Sequence, residues 1–337
     1  MSEKIAIIYN EPVQSRYHTS GEDKAVLGVL EAVNAVKKAL NELHYEVSPV
    51  PLALPLEQAT AIVNNLKVNI IFNLFEGFPG YPETEAWLPE LLIKRNIAFT
   101  GCPSETLRLA LNKAKTKELL REAGIDTPSH QLLTPGNVDM FRLHFPCIVK
   151  PMAEDASHGL SEDSLVNDMG SLARQVALMV NVYGGQALVE EFIDGREFNA
   201  TVLGTTDCTV LPVSEITYTL PPDKPRILTF AAKWDQTSIY YKSTPVVCPA
   251  KIDDAEKERI GRVALTAFRI TGCRGYARVD MRLDSSGNVN VIEVNPNPDI
   301  SPNTGAARQA KAAGMTYAQF IEKIVAFASE NAVVSLK

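Results

Sequence analysis

Arg278-Val279-Asp280-Met281-Arg282-Leu283 and Val289-Asn290-Val291-Ile292-Glu293-Val294-Asn295, with Asp284-Ser285-Ser286-Gly287 between them, form the stretch whose reading decides the fold. Both runs have strand periodicity, and the linker is turn chemistry, so the stretch reads as a β-hairpin. Side chains alternate faces along a strand. Arg278 and Asp280 therefore share a face, as do Glu293 and Asn295. If the two faces coincide, two carboxylates, an amide oxygen and a guanidinium converge. Oxygen ligands of that kind suit Mg²⁺ held between protein and phosphate, and an arginine there suits a developing oxyanion. The bland alternative is an edge hairpin with a solvated charged face. The register decides between them, and sequence does not set it. Asn295-Pro296-Asn297-Pro298-Asp299 favours the first reading, because two prolines directly after a strand fix an irregular backbone and such loops often carry function.

Working outward, 337 residues suffice for two or three domains, and 45% hydrophobic with 22% charged residues is the balance of a soluble globular chain. A net charge of −7 argues against a general nucleic-acid binder, so anionic ligands need a local cluster of Lys and Arg. Cys102, Cys147, Cys208, Cys248 and Cys273 are scattered and form no C-x-x-C. A disulfide framework or zinc site is not expected, which places the chain in a reducing compartment, the cytoplasm. Met1-Ser2-Glu3-Lys4-Ile5 leads straight into a strand pattern without a signal-peptide core, and no apolar run is long enough to span a membrane.

Lys4 to Tyr9 reads as a buried parallel strand, followed by a polar loop to Asp23 and a helix over 24–43. Strands over 45–50, 68–74 and 97–100 alternate with helices over 58–66 and 87–95. That order predicts a doubly wound parallel sheet over residues 1–103. A helix over 104–123 ended by Gly124, a strand over 145–151, a Gly159-containing loop, a helix over 164–181 and a strand over 187–191 come next. Strands then dominate up to a helix over 253–271. The hairpin and a final helix over 316–329 complete the chain.

Lys113, Lys150-Pro151, Glu190-Glu191-Phe192-Ile193, Glu197, Lys233, Arg278-Val279-Asp280 and Glu293-Val294-Asn295 occur in the order and spacing of the ATP-grasp ligases. Within that superfamily the chain resembles the D-alanine–D-alanine ligase family over nearly its whole length. The resemblance implies an α/β fold with an α+β C-terminal part: the first domain, then a two-subdomain ATP-grasp fold. Residues 104–186 would form the central subdomain with the phosphate-binding loop, and 187–337 the C-terminal subdomain with the metal site. It further implies ATP and two Mg²⁺ ions, with Mn²⁺ as a possible substitute, small carboxylate or amino-acid and amine substrates, no membrane or nucleic-acid partner, and a homodimer. Lys113, Lys150 and Lys233 match phosphate-contacting lysines, whose point charges complement polyphosphate. Glu154 to Gly159 matches the loop that closes over the phosphates, with Glu154 and Ser157 as contacts and Ser157 also assigned to catalysis. Glu190, Glu191 and Ile193 match the strand that addresses adenine, and Glu197 the ribose acceptor. Asp280, Glu293 and Asn295 match the metal ligands, and Arg278 the arginine that stabilises a tetrahedral oxyanion.

The nucleotide half of the match is intact and the amino-acid half is not. Asn10-Glu11-Pro12 stands where the family carries Glu-Arg-Glu, leaving Glu11 as the substitute for a substrate-binding Glu. Glu76-Gly77 replaces His-Gly, Ala156-Ser157 replaces paired serines, and Trp234 replaces a tyrosine. Asp299 and Thr304-Gly305 stand where the family binds the second substrate's carboxylate. Glu11, Glu76, Trp234, Asp299 and Thr304 are thus the expected substrate residues. Three readings stay open: a ligase of the D-alanine–D-alanine type, an ATP-grasp enzyme for another carboxylate–amine pair or one that stops at the acyl phosphate, and a non-catalytic nucleotide-binding homologue. A dinucleotide site is set aside, since no G-x-G-x-x-G follows the first strand.

Overall fold

The computed structural model describes residues 2–13, 22–152, 157 and 159–334, with side chains of 22–27 and 329–334 outside that description. Strand β1 (Lys4–Asn10) is buried from Ile5 to Ile8. It is followed by helix α1 (Glu22–Glu42), β2 (Glu46–Leu52), α2 (Leu56–Asn65), β3 (Ile70–Leu74), α3 (Trp87–Lys94) and β4 (Ala98–Phe99). The four strands form a parallel sheet ordered β2-β1-β3-β4. Because side chains alternate, β1 feeds two cores. Ile5 and Ile7 pack with Val33, Val36 and Leu40, and Ala6 and Ile8 pack with Val63, Leu88 and Leu92. This is the doubly wound sheet predicted from the strand–helix alternation.

The helix expected over 104–123 is instead two, α4 (Ser104–Leu111) and α5 (Lys113–Glu122). Asn112 breaks it: with φ −97° and ψ 83° it leaves the helical region, and its side chain accepts from the Lys115 N–H as an N-cap. Next come β5 (His130–Leu133), β6 (Cys147–Pro151), β7 (Leu165–Val166), α6 (Met169–Tyr183) and β8 (Ala187–Glu191). The helix expected to start at 164 starts at Met169, because Asp168 caps it by accepting from the Ser171 N–H. The strands form an antiparallel sheet ordered β5-β8-β6-β7, so a division at 186/187 falls inside this sheet.

Beyond it lie β9 (Glu197–Gly204), β10 (Cys208–Val210), β11 (Ser214–Ile216), α7 (Phe230–Trp234), α8 (Ile239–Lys242), β12 (Val246–Val247), α9 (Asp254–Ile270), β13 (Gly275–Leu283), β14 (Val289–Pro296), α10 (Gly305–Ala312) and α11 (Tyr317–Val334). The region expected to be mostly strand thus also holds α7 and α8, short helices capped by Thr229 and Ser238. A six-stranded sheet runs β12-β11-β9-β13-β14 with β10 on β9. Its inner face packs on Ile260, Ala264 and Phe268 of α9 and on Leu107 and Leu120 of α4 and α5. Helix α11 returns to the first sheet, where Phe320, Ile321 and Ile324 join the core of Ile5 and Ile7.

Candidate active site

The hairpin register settles which side chains meet. Arg278 lies opposite Asn295 and Asp280 opposite Glu293 in the antiparallel β13–β14 pair. All four therefore share one face. A bulge follows, since the next pair is Met281 with Val291, which leaves Ile292 as the extra residue on β14. Arg278 holds Asp280 in a fork, Nε to Oδ1 at 2.7 Å and Nη2 to Oδ2 at 2.9 Å, and Asn295 Nδ2 donates to Asp280 Oδ2 at 2.9 Å. Glu293 pairs with Lys113 Nζ at 3.0 Å, from the first turn of α5. Burial pushes the Glu293 carboxyl up, but the ammonium charges of Lys113, Lys150 and Lys233 outweigh it and hold Glu293 below the usual range. The three expected phosphate lysines, from α5, β6 and α7, thus lie within electrostatic range of one carboxylate, and Lys113 is paired with it.

Behind this face, the bulge carbonyl of Ile292 accepts from Lys117 Nζ at 3.1 Å. Lys117 is buried, and it also reaches Thr127 Oγ1 at 3.1 Å and Glu190 Oε1 at 2.8 Å. Glu190 Oε2 pairs with Lys150 Nζ at 2.7 Å. Both Glu190 oxygens are therefore bound to lysines and its side chain is only 2% exposed, while the strand itself is paired along both edges, by β5 and β6. Burial would raise the Glu190 carboxyl, but the two ammonium groups and their hydrogen bonds bring it down to about 2. Its neighbour Glu191 points the other way and pairs with His144 Nδ1 at 2.9 Å. Glu197, at the start of β9, is held by Arg282 and by Tyr218 Oη, which donates to Glu197 Oε2 at 2.5 Å. The Ile193 carbonyl accepts from Arg282 Nη1 at 2.9 Å.

The remaining expected residues lie as follows. Glu154 is outside the described residues. Ser157 adopts a left-handed φ of 64°, and its carbonyl accepts from the Leu160 N–H at 3.0 Å, closing a turn after β6. Glu11 and Glu76 are exposed just beyond the C-terminal ends of β1 and β3. The Asn10 side chain joins those ends, accepting from Glu76 N–H at 2.8 Å and donating to the Gly77 carbonyl. Trp234 ends α7, stacks at a tilt on Phe230 at 6.4 Å, and lies beside Gly28 of α1. Asp299 is exposed, with Oδ1 accepting from Ser301 N–H at 2.8 Å, and Thr304 stands just before α10 with its hydroxyl donating to the Ser301 carbonyl at 2.7 Å. A Cβ on Gly305 would sit 3.6 Å from Arg278 Cδ, so the start of α10 lies against Arg278. The structure thus joins the hairpin quartet with the three lysines. Glu11, Glu76 and Trp234 occupy other elements. Lys117, Arg282 and Tyr218 have no precursor in the sequence reading. A lysine one helical turn after Lys113 was the sole signal for the first.

The donor set of Asp280, Glu293 and the Asn295 amide is all oxygen, which fits a hard divalent cation better than a soft one. Among the described residues no group of three or more His, Cys, Asp or Glu is gathered, so any ion here would share its shell with a ligand. No described helix is long and apolar enough to cross a membrane.

A family model described as the C-terminus of D-ala D-ala ligase matches residues 119–326. An uncharacterized protein, y4sG, of Sinorhizobium fredii is 35% identical over 257 residues, covering 76% of this chain and 73% of that one. The D-alanine–D-alanine ligase of Desulforudis audaxviator is 29% identical over 308 residues, covering 90% and 94%. The crystal structure of D-alanine–D-alanine ligase from Bacillus anthracis superposes with a TM-score of 0.75 at 20% identity over 99% of both chains, a likeness of fold. By its matched segment and by its full-length relatives, the chain belongs to the D-alanine–D-alanine ligase family.

Proposed function

We propose that this chain is an ATP-dependent carboxylate–amine ligase that forms an amide through an acyl phosphate, with D-alanine–D-alanine ligation as the nearest activity. The observation that carries this reading is the single face holding Arg278, Asp280, Glu293 and Asn295, with Lys113 paired to Glu293 and Lys150 and Lys233 within electrostatic range of it. Family membership supplies the reaction type. Lys113, Lys150 and Lys233 hold the polyphosphate. The segment that follows β8, at Ile193, addresses the base, and Glu197 the ribose. Asp280, Glu293 and Asn295 would hold Mg²⁺, which would offset phosphate charge during transfer. The donor's carboxylate oxygen attacks the γ-phosphorus and ADP departs. The acceptor's amine then attacks the acyl carbon, and phosphate is expelled. Arg278 lies where it can stabilise the tetrahedral oxyanion. Burial alone would lower the Arg278 guanidinium's proton affinity, but Asp280, Glu293 and Asp299 raise it, so it stays cationic throughout.

The acceptor's carboxylate is best placed between Arg278 and the N-terminus of α10 at Thr304-Gly305, where helix N–H groups favour an anion. Glu11 and Glu76 lie at the strand ends of the parallel sheet, where open α/β sheets bind ligands. Asp299 favours a second reading within the family, a substrate pair other than two D-alanines. Its carboxylate lies within electrostatic range of Arg278 and disfavours a second anion beside it. ADP release from ATP and Mg²⁺ with D-alanine, other D- and L-amino acids, and their pairs tests both. Release dependent on D-alanine supports the first pair, and release with another pair supports the second. Release that no amino acid alters removes the proposal. A homodimer, as the resemblance implies, is checked by molar mass in solution.

A further inference from the structure

Two residues downstream of Asp280, the oxyanion arginine's partner, β13 carries another arginine that the reaction does not use. Arg278, Asp280 and Arg282 share one face of β13. Arg282 is buried and makes five hydrogen bonds. Its Nε donates to Glu197 Oε2 at 2.9 Å and its Nη2 to the same oxygen. Nη2 also reaches Tyr218 Oη at 3.0 Å and the Arg226 carbonyl at 2.5 Å, and Nη1 reaches the Ile193 carbonyl at 2.9 Å. The guanidinium lies 4.9 Å from the Phe192 ring centroid and 5.6 Å from that of Tyr218. Tyr218 is kept protonated, since burial and the Glu197 charge push its phenol well up, so it can only donate to Glu197.

The consequence falls on Glu197. Its Oε2 accepts from Tyr218 Oη and from Arg282 Nε and Nη2, while Oε1 accepts no hydrogen bond among the described residues. We propose that Arg282 is a positioning residue of the nucleotide site, fixing Glu197 through Oε2 so that Oε1 is presented to the ribose hydroxyls, and fastening the 192–196 linker to it through the Ile193 carbonyl. This deepens the assignment of Glu197 to the ribose and rests on it. A carboxylate free to rotate would lose entropy on meeting a hydroxyl; one already clamped by a bidentate arginine does not. Arg282 touches no substrate in this scheme. It acts through Glu197 alone.

The test is equilibrium binding of ATP, 2′-deoxy-ATP and 3′-deoxy-ATP with Mg²⁺ and no amino acid. In the native protein, loss of a hydroxyl bonded to a charged acceptor weakens binding roughly tenfold or more. Glu197→Gln reduces that discrimination, and Arg282→Met brings it close to one while leaving affinity for the deoxynucleotides little changed. A purely structural role would weaken all three nucleotides alike. Should Arg282→Met fail to fold, Arg282→Lys and Tyr218→Phe decide, each expected to give an intermediate ratio. A folded Arg282 variant with the native ATP/deoxy-ATP ratio overturns the proposal while Glu197 keeps its role. Native discrimination that survives Glu197→Gln overturns the ribose assignment, and with it this one. A protein that binds none of the three overturns the ligase reading itself.

Discussion

Glu190→Gln is the perturbation whose size the structure sets most clearly. The change is isosteric, so packing is kept and one negative charge is removed. What remains is Lys117, 3% exposed, and Lys150, 14% exposed, both having lost their carboxylate. Removing one partner of a buried pair strands the other, at a cost of about 3–5 kcal/mol. At 2–4 °C per kcal/mol this lowers the apparent Tm by roughly 6–20 °C. Following thermal unfolding by circular dichroism at neutral pH measures it. Lys117→Met alone should also destabilise, by stranding Glu190 less completely, because Lys150 still holds Oε2. Lys117→Met combined with Glu190→Gln should lose less than the sum, since each change relieves part of the other's unpaired charge. The pH dependence has a definite sign. Against the cost of burial, the Lys117 and Lys150 ammonium groups bring the folded Glu190 carboxyl down to about 2 from its ordinary 4.5. Its contribution is therefore fully present above about 4.5 and is lost as pH falls towards 2. The native protein should lose stability across that window, and Glu190→Gln should lose less. A Glu190→Gln protein with native Tm, or with an unchanged acid limb, would refute this account of the buried lysine–carboxylate–lysine bridge.

Glu293→Gln should abolish most ADP formation, beyond the roughly 10–100-fold that loss of a metal ligand's supporting partner costs, while nucleotide binding persists; steady-state rates and nucleotide titration check both. Arg278→Met should lower kcat about 100–1000-fold with little change in the KM for ATP, as expected of a group engaged mainly in the transition state. Gly101→Ala should destabilise the protein or distort the loop after β14. Gly101 has φ +91°, and an added Cβ would sit 2.3 Å from Asn297 Oδ1, which accepts from the Cys102 N–H. Thermal unfolding and ADP release check it. Asn112→Ala removes the cap between α4 and α5 and should cost about 1 kcal/mol, read from denaturant titration.

The parallel sheet was legible because apolar runs such as Ile5–Ile8 and Ile70–Phe72 are buried on both faces and sit between amphipathic helices. The hairpin was legible for the opposite reason, an alternation broken only at Val291-Ile292, which put Arg278 with Asp280 and Glu293 with Asn295 on shared faces before their register was known. The rest depended on pairing across the chain. The Ile292 bulge exists only in the context of β13, and Lys117 reads as a surface lysine until that bulge offers it a carbonyl. Helix α10 was missed because its buried face is Ala306, Ala307, Gln309 and Ala310, too small and too polar for a hydrophobic period to register. Asn112 looks like any polar helix residue until its φ and ψ are seen. Glu190 carries the same kind of lesson: its place in the motif was visible, but the two lysines that take both its oxygens come from α5 and β6.

The decisive measurement follows the donor's oxygen. With ATP, Mg²⁺ and a donor amino acid labelled with ¹⁸O in its carboxylate, the released phosphate and the organic product are read together by mass. Ligation through an acyl phosphate predicts one labelled oxygen in each phosphate released and an amide product equal in amount to ADP. ADP without an amide, or an amide formed with unlabelled phosphate, would contradict it.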